Sequence, residues 1–372
     1  MEIKARDLIA LMDRWAPPML AESWDHPGLQ VGNPETPVHS VLVSLDLTRD
    51  AARYAKEHGI EMVISHHPFL FKGLKTIDLR TEKGQILSDL LSGGITAFAA
   101  HTNLDTAAGG VNDALAGVLG LQHTRGLVRI HENKQYKLVV YVPESHADAV
   151  RKAMAAAGAG EVGEYTGCAF ESRGTGHFQC RDTAHPYIGE AGKEEAAAEV
   201  RLETFLSEPD IPAVTAAMLA AHPYETAVYD LYELKEGSRW DTMGRVGELP
   251  HPMTGEEAVL YIKKKLGLPT AKYAGNIERT VQTVAVLGGA GIDFAKDAAH
   301  AGADLYLTGD VKYHEAQDAA ALGLLTVDGG HFYTERVIIP VIAARIREAA
   351  EKNGWDLAVV EDPTSKDIFG YM

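Results

Sequence analysis

The chain has 372 residues and a mass of 40.1 kDa, more than one ordinary hydrophobic core holds, so two or more domains are expected. With 52 acidic and 35 basic residues the formal net charge is −17, which disfavours a nucleic-acid backbone as partner. The charged N-terminus has no signal-peptide core, no apolar run is long enough to span a membrane, and two cysteines form no disulfide framework, so we expect a cytoplasmic protein.

Residues 1–127 alternate short apolar runs with helical patterns. Strands are predicted at 41–45, 62–65 and 95–100, and helices at about 48–58, ended by Gly59, and 83–91. Apolar strands separated by helices indicate a parallel sheet that is covered on both faces.

The pattern changes between residues 128 and 236. Strands are predicted at 137–142, 168–177, 200–205 and 227–233. Ser145 is the predicted N-cap of a helix that ends near 157, and Pro212 lies near the start of a helix that ends at 221. This is the β-α-β-β-α-β order of a ferredoxin-like unit.

The α/β pattern resumes in residues 237–372. Strands at 284–287, 305–308 and 324–327 are each followed by a glycine-containing turn and a helix, and the last helix is predicted at about 332–352. We therefore predict an α/β outer domain made of residues 1–127 and 237–372, with 128–236 inserted as an α+β domain.

Histidines and carboxylates follow the strands of both outer segments, and ligand sites of α/β proteins form at the carboxyl ends of the strands. A single such residue is more often a cap or a turn residue, and a His and a Glu four residues apart can simply be an intrahelical pair. It is the convergence of several segments that favours a metal site. The candidates are His66, His67, His101, Asp105, Asp310, His314, His331 and Glu335.

Imidazole and carboxylate ligands suit Zn, Fe, Mn, Co or Ni, and a carboxylate can bridge two ions. The adjacent side chains of His66 and His67 do not readily reach one ion, but from a loop they could serve two neighbouring ions. The sequence therefore favours two divalent ions per chain. Asp310 and His314 are of a suitable type to relay protons at the same edge.

At these residues the sequence resembles the NIF-three-like family of dinuclear-metal proteins, the GTP cyclohydrolase I type 2 homologues. Together the matching stretches cover both outer segments. They read Trp24-Asp25-His26-Pro27-Gly28-Leu29-Gln30-Val31-Gly32, Ser65-His66-His67-Pro68, His101-Thr102-Asn103-Leu104-Asp105, Thr308-Gly309-Asp310-Val311-Lys312-Tyr313-His314 and Gly330-His331-Phe332-Tyr333-Thr334-Glu335.

The resemblance implies that Glu335 bridges two ions held by His66, His67, Asp105 and His331. His101 would either ligate directly or orient Asp105. The resemblance further implies a homohexamer and an insert similar to CutA-like and PII-like domains.

The activity that the resemblance implies is hydrolytic opening of the guanine ring of GTP with release of formate. Lys312 and the turn that contains Gly289 and Gly291 would then contact the triphosphate. The alternative is a non-enzymatic metal-binding scaffold or regulator whose insert binds a small molecule or a protein.

Two His-Pro-Tyr segments occur within the insert, at His185-Pro186-Tyr187 and at His222-Pro223-Tyr224-Glu225. Such a segment is usually a rigid turn whose ring packs on its neighbour. A second ligand site is the other interpretation.

Overall fold

A computed structural model describes residues 2–372, and over them the chain forms two compact units. The first comprises residues up to His131 and residues from Asp241 onwards, and the second comprises Glu132–Trp240. The domain limits predicted from the sequence, with the insert at 128–236, stay a prediction.

The regular secondary structure consists of helices and strands of very different lengths. The helices are α1 (Ala5–Trp15), α2 (Arg49–Glu57), α3 (Glu82–Gly93), α4 (Thr102–Thr106), α5 (Val111–Leu119), α6 (Ala147–Ala156), α7 (Ile211–Ala221), α8 (Gly255–Leu266), α9 (Ala295–His300), α10 (Tyr313–Ala321), α11 (His331–Glu335) and α12 (Ile338–Asn353). The strands are β1 (Ile3–Lys4), β2 (Gly28–Val31), β3 (Pro37–Val38), β4 (Ser40–Ser44), β5 (Met62–Ser65), β6 (Thr96–Ala99), β7 (Gln122–Asn133), β8 (Gln135–Pro143), β9 (Ala169–Gln179), β10 (Glu194–Ser207), β11 (Tyr229–Glu233), β12 (Arg239–Thr254), β13 (Lys272–Ala274), β14 (Thr280–Val286), β15 (Leu305–Thr308), β16 (Leu325–Asp328) and β17 (Ala358–Glu361).

The first unit contains two mixed sheets. In the first sheet, of order β17-β4-β5-β6-β2, the four strands from β17 to β6 are parallel and β2 is antiparallel. In the second, of order β13-β16-β15-β14-β12-β7, β14 to β16 are parallel, and β13 and β12 run antiparallel beside them. The predicted α/β class is confirmed, but the parallel strands are divided between two sheets.

Strand β17 lies near the C-terminus of the chain and pairs with β4 near the N-terminus, where Ala358 faces Ser40. Both segments also share one hydrophobic core, in which Leu8 and Met12 of α1 pack with Ile342 and Ile346 of α12. The two ends of the chain thus build one folded body.

Local sequence explains where two elements begin. The Thr48 hydroxyl accepts a hydrogen bond from the Ala51 amide at 3.1 Å and caps α2. The structure divides the predicted helix 332–352 into two helices: α11 ends at Glu335, and α12 begins at Ile338. Pro340 is the third residue of α12, where its missing N–H costs no hydrogen bond.

The second unit is a four-stranded antiparallel sheet of order β11-β8-β10-β9, with α6 and α7 packed through residues such as Val150 and Met218. The element order is the predicted β-α-β-β-α-β order. The predicted cap at Ser145 is wrong: α6 has His146 at its N-cap without a side-chain bond, and the Ser145 hydroxyl contacts the His146 ring.

Throughout residues 2–372, no helix has both the length and the apolar character that crossing a membrane requires.

Candidate metal centre

Three chain segments of the first unit bring histidines and carboxylates to one place. His66 and His67 follow β5, His101 precedes α4, and His331 begins α11 after the left-handed Gly330. The Nε2 atoms of His67 and His331, 264 residues apart in sequence, lie 3.3 Å from each other. The predicted proximity of these segments is therefore confirmed.

The Glu335 carboxylate lies at the middle of this cluster. Its Oε2 atom is 2.9 Å from His67 Nε2 and 3.1 Å from His331 Nε2, while its Oε1 atom is 3.8 Å from His66 Nε2. His66 Nε2 also lies 3.7 Å from Asp105 Oδ1. One carboxylate thus faces two groups of side chains.

The Nδ1 atom of each histidine ring is held by an oxygen on its outer side. His66 Nδ1 lies 2.8 Å from the Ala100 carbonyl oxygen. The corresponding distances are 2.8 Å from His67 to Asp46, 3.0 Å from His101 to Asp25 and 2.8 Å from His331 to Asp310. Metal-binding histidines are commonly oriented through their second nitrogen in this way, which leaves Nε2 free to ligate.

Three inward-facing atoms are buried without a hydrogen bond, namely His66 Nε2, Asp105 Oδ1 and Glu335 Oε2. The ring nitrogens nearest Glu335 Oε2 lack the alignment of a hydrogen bond. Buried polar atoms are rarely left unsatisfied, because each costs about 1–3 kcal/mol. An ion bound among them would satisfy them, so the residues present fit a metal.

The potential donor atoms form two groups, and within each group all the atoms lie within 4.8 Å of one another. One group is His66, His67 and His101, and the other is His67, His331 and Glu335. The His101 ring centroid is 5.3 Å from that of His66 and 5.5 Å from that of His67. His101 therefore belongs to the cluster by position.

The charges of the cluster shift the pKa values of its members. Burial alone would lower the pKa of His67, but its hydrogen bond with Asp46 and the charge of the adjacent Glu335 carboxylate raise it to about 10. Burial would likewise lower the pKa of His331, but the Glu335 and Asp310 carboxylates raise it to about 9. Burial raises the pKa of Asp105 to about 6. Protons and cations therefore compete for this site.

The other predicted site residues lie around the cluster or away from it. Asp310, the predicted proton relay, holds the His331 ring. His314 is exposed on α10, where its ring contacts Gln317. Lys312 pairs with Glu315 and lines a separate depression of about 160 Å³. A role for His314 or Lys312 in chemistry stays a prediction.

The glycine turn after β14 makes room for the centre and has few free amides. The Gly289 amide donates to the Thr334 hydroxyl and the Gly291 amide to the Thr308 hydroxyl, so neither is available to a phosphate. Gly289 has a φ of +65°, and a β-carbon there would overlap Glu335 Oε1. The amides of Gly289 and Gly291 therefore do not support the predicted contact between this turn and a triphosphate.

Two carboxylates of the site, Asp46 and Asp25, are absent from the residues predicted from sequence. Asp46 comes two residues after the end of β4, so the rule that found His66 could also have found it. Asp25 lies in a loop, and its contacts with His101 and Thr102 connect residues 76 and 77 positions apart. The one signal for Asp25 in the sequence is its place in the stretch of residues 24–32 that carries the family resemblance.

A cavity of about 840 Å³ opens beside the cluster. His67, His331, Asp46 and Asp310 line it. Three lysines and several aromatic side chains line its remainder, including Lys83, Lys272, Lys366, Phe332, Tyr333, Phe369 and Tyr371. Its volume is in the range of small-molecule sites.

Comparisons with known proteins agree over almost the whole chain. Residues 3–367 match the Duf34/NIF3 (NGG1p interacting factor 3) family. The "GTP cyclohydrolase 1 type 2 homolog" proteins of Halalkalibacterium halodurans and Bacillus subtilis are each 38% identical, over 98% and 100% of this chain and 98% and 99% of their own. The crystal structure of a Bacillus cereus protein related to NIF3 has a TM-score of 0.91 at 37% identity, and the match covers 100% of this chain and 99% of that one.

Proposed function

This chain belongs to the Duf34/NIF3 family, and we propose that it is a dinuclear-metal-dependent hydrolase acting on a nucleotide, with GTP as the first candidate. The observation that carries the proposal is the set of buried, unpaired atoms around Glu335. A carboxylate that is 4% exposed and whose Oε2 atom accepts no hydrogen bond is costly unless a cation completes its surroundings.

Two ions suit the arrangement better than one. The Oε2 side of Glu335 faces His67 and His331, and its Oε1 side faces His66, which lies near Asp105. Glu335 would bridge the ions, and His101 would ligate through Nε2 while Asp25 holds its Nδ1. Zn, Fe, Mn, Co and Ni all suit these donors.

Bound ions of this class supply Lewis acidity and lower the pKa of coordinated water. The chain's own residues would hold the histidine rings rigid, through Asp46 and Asp310, and position the substrate in the cavity. The Asp310 side chain is half exposed, and the oxygen that does not contact His331 would accept a proton.

Support for a nucleotide comes from the relatives' name and from the cavity lining. Lys83 and Lys366 offer cationic groups for phosphates, and Tyr333 and Phe369 offer rings for a base. Opening of the guanine ring of GTP with formate release is the specific reaction we propose to test.

The assay compares the wild type with Glu335→Gln after each is loaded with Mn, Fe or Zn. Formate released from GTP is measured together with the metal content per chain. The matched control is Glu351→Gln, which alters an exposed glutamate of α12. We expect turnover in the wild type and the control and its loss in Glu335→Gln. Absence of formate with every metal would remove GTP as substrate.

A metal-holding scaffold or regulator is the second candidate. It is favoured by the positions of the two predicted proton relays. His314 faces solvent and contacts Gln317, and Asp310 is engaged with His331. In a scaffold, Glu335→Gln would lower metal content or assembly, and the wild type would show no turnover that could be lost.

We also propose, from the family resemblance, that the chain forms a homohexamer and that its second unit is of the CutA-like or PII-like class. Sedimentation velocity would give about six times the chain mass of 40.1 kDa for a hexamer. A monomer or dimer at micromolar concentration would contradict this assembly.

A further inference from the structure

The second unit contains a cleft of its own, of about 550 Å³. It lies on the sheet face opposite the helices: Val200 and Leu202 of β10 pack towards α6 and α7, whereas Glu199 and Arg201, which alternate with them, line the cleft. The cleft has more apolar than polar surface, as small-molecule sites do.

Both His-Pro-Tyr segments of the sequence meet at this cleft. The ring centroids of Tyr187 and Tyr224 are 6.3 Å apart, and the His185 amide donates to Glu225 at 3.2 Å. His222 is buried, with its Nε2 2.9 Å from the Tyr141 carbonyl oxygen, and so fixes the second segment. The segments are therefore turns that present tyrosines to one space.

Glu199 is the unusual group of the cleft. It is only 8% exposed, and its Oε1 atom accepts a hydrogen bond from the Tyr224 hydroxyl at 2.8 Å. Within the described residues, no cationic side chain forms an ion pair with it: Arg201 pairs with Glu203, and Arg173 lies 3.6 Å from Glu144. Glu199 is thus a buried carboxylate whose hydrogen-bond partner is a neutral phenol, and Arg173 and Arg201, which also line the cleft, form no ion pair with it.

The strand beside Glu199 is shaped to accept this carboxylate. A β-carbon on Gly176 of β9 would overlap Glu199 Oε2 and would lie 3.0 Å from Oε1. Burial and the Glu199 charge raise the pKa of the Tyr224 phenol, which keeps the phenol a neutral donor. The surroundings thus hold Glu199 in place in the lining of the cleft.

We propose that this cleft binds a small organic cation, an amine or amidine carried on an aromatic or aliphatic group. The cationic group would pair with Glu199, and the rings of Tyr187, Tyr224 and Phe178 would contact the apolar part and the charge. The site is distinct from the metal centre and does not depend on the hydrolase proposal.

Three probes that differ in charge and share one ring test this on the full-length, metal-loaded protein: benzamidine is cationic, benzamide neutral and benzoate anionic. Binding is measured by isothermal titration calorimetry. We expect benzamidine to bind about tenfold more tightly than benzamide, because a charge-assisted hydrogen bond exceeds a neutral one by about that factor. Benzoate should bind most weakly.

Glu199→Gln keeps the side-chain size and an acceptor for Tyr224, and it should abolish the preference for benzamidine over benzamide. The matched control is Glu194→Gln, an exposed glutamate of the same strand that does not line the cleft; it should leave all three affinities unchanged. Equal binding of benzamidine and benzamide by the wild type, no binding of benzamidine, or tighter binding of benzoate would overturn the proposal without recourse to any variant.

Discussion

Gly289 offers the sharpest test of the metal centre, because it is beside Glu335 and is not itself a proposed ligand. A β-carbon at this position would lie 3.1 Å from the Glu335 carboxyl carbon and 3.3 Å from His331 Cε1, and it would overlap Glu335 Oε1. In Gly289→Ala the carboxylate oxygen must move on the order of 1 Å to regain van der Waals separation. Metal–ligand distances tolerate about 0.2 Å.

The backbone of residue 289 also contributes a cost that a control can isolate. Gly289 and Gly59 both have a φ of +65°, but a β-carbon on Gly59 meets no atom within 4 Å. Alanine in the left-handed region costs about 1–2 kcal/mol at either position. Gly59→Ala and Gly289→Ala should therefore lose comparable unfolding free energy in the metal-free state, with up to about 1 kcal/mol more at Gly289 for the displaced Glu335 rotamer.

Metal binding separates the two variants. We expect Gly289→Ala to bind Zn²⁺ about a hundredfold more weakly than the wild type, and Gly59→Ala to bind it equally well. Competition with a fluorescent chelator gives the affinities, elemental analysis gives the ions per chain, and urea unfolding in EDTA gives the stabilities. Wild-type affinity and stoichiometry in Gly289→Ala would refute the assignment of Glu335 as a ligand.

Three further outcomes follow from the same geometry. Asp310→Asn loses the charge that holds His331 and should weaken metal binding about 10–100-fold in the same competition assay. At pH 8, below the pKa values of about 10 for His67 and about 9 for His331, both rings are in their cationic, doubly protonated form. Metal binding should therefore release about two protons per chain and should weaken as the pH falls. Calorimetry in buffers of different ionisation enthalpy counts the released protons. Thr81→Ala removes the acceptor of the Gly84 amide at the start of α3 and should cost about 1 kcal/mol in urea unfolding, whereas Thr81→Ser should retain most of it.

The parts of the fold that sequence predicts well are those set by local chemistry. The short apolar runs at Met62–Ser65 and Leu305–Thr308 are strands with those same bounds, because every residue in them is buried. The edge strands β2 and β13 carry no such run, since they are short and partly exposed, and no residue pattern predicts them. Which sheet a parallel strand joins depends on contacts distant in sequence, so the division into two sheets was not predictable.

The candidate site shows the same division. The rule that ligands follow strand ends finds His66, His67 and Asp105, and helix spacing places His331 beside Glu335. The orientation of each ring depends on an oxygen from another segment, such as Asp25 for His101, 76 residues away. Long-range hydrogen bonds of this kind leave no periodic pattern, so the residues that gather at the candidate site are predictable and their geometry is not.

Asn112 connects the two sheets of the first unit beside the candidate metal centre. It is fully buried at the start of α5. Its Nδ2 atom donates a hydrogen bond to the Asp105 carbonyl oxygen at 2.9 Å, and its Oδ1 atom accepts one from the Gly288 amide at 3.0 Å. Asp105 belongs to the segment after β6, and Gly288 precedes the turn that contacts Glu335. A single side chain thus fixes the separation between segments that supply Asp105 and Glu335. Because metal affinity falls when ligands shift by tenths of an ångström, the packing of α5 between the two sheets matters to the candidate centre as much as the proposed ligands do.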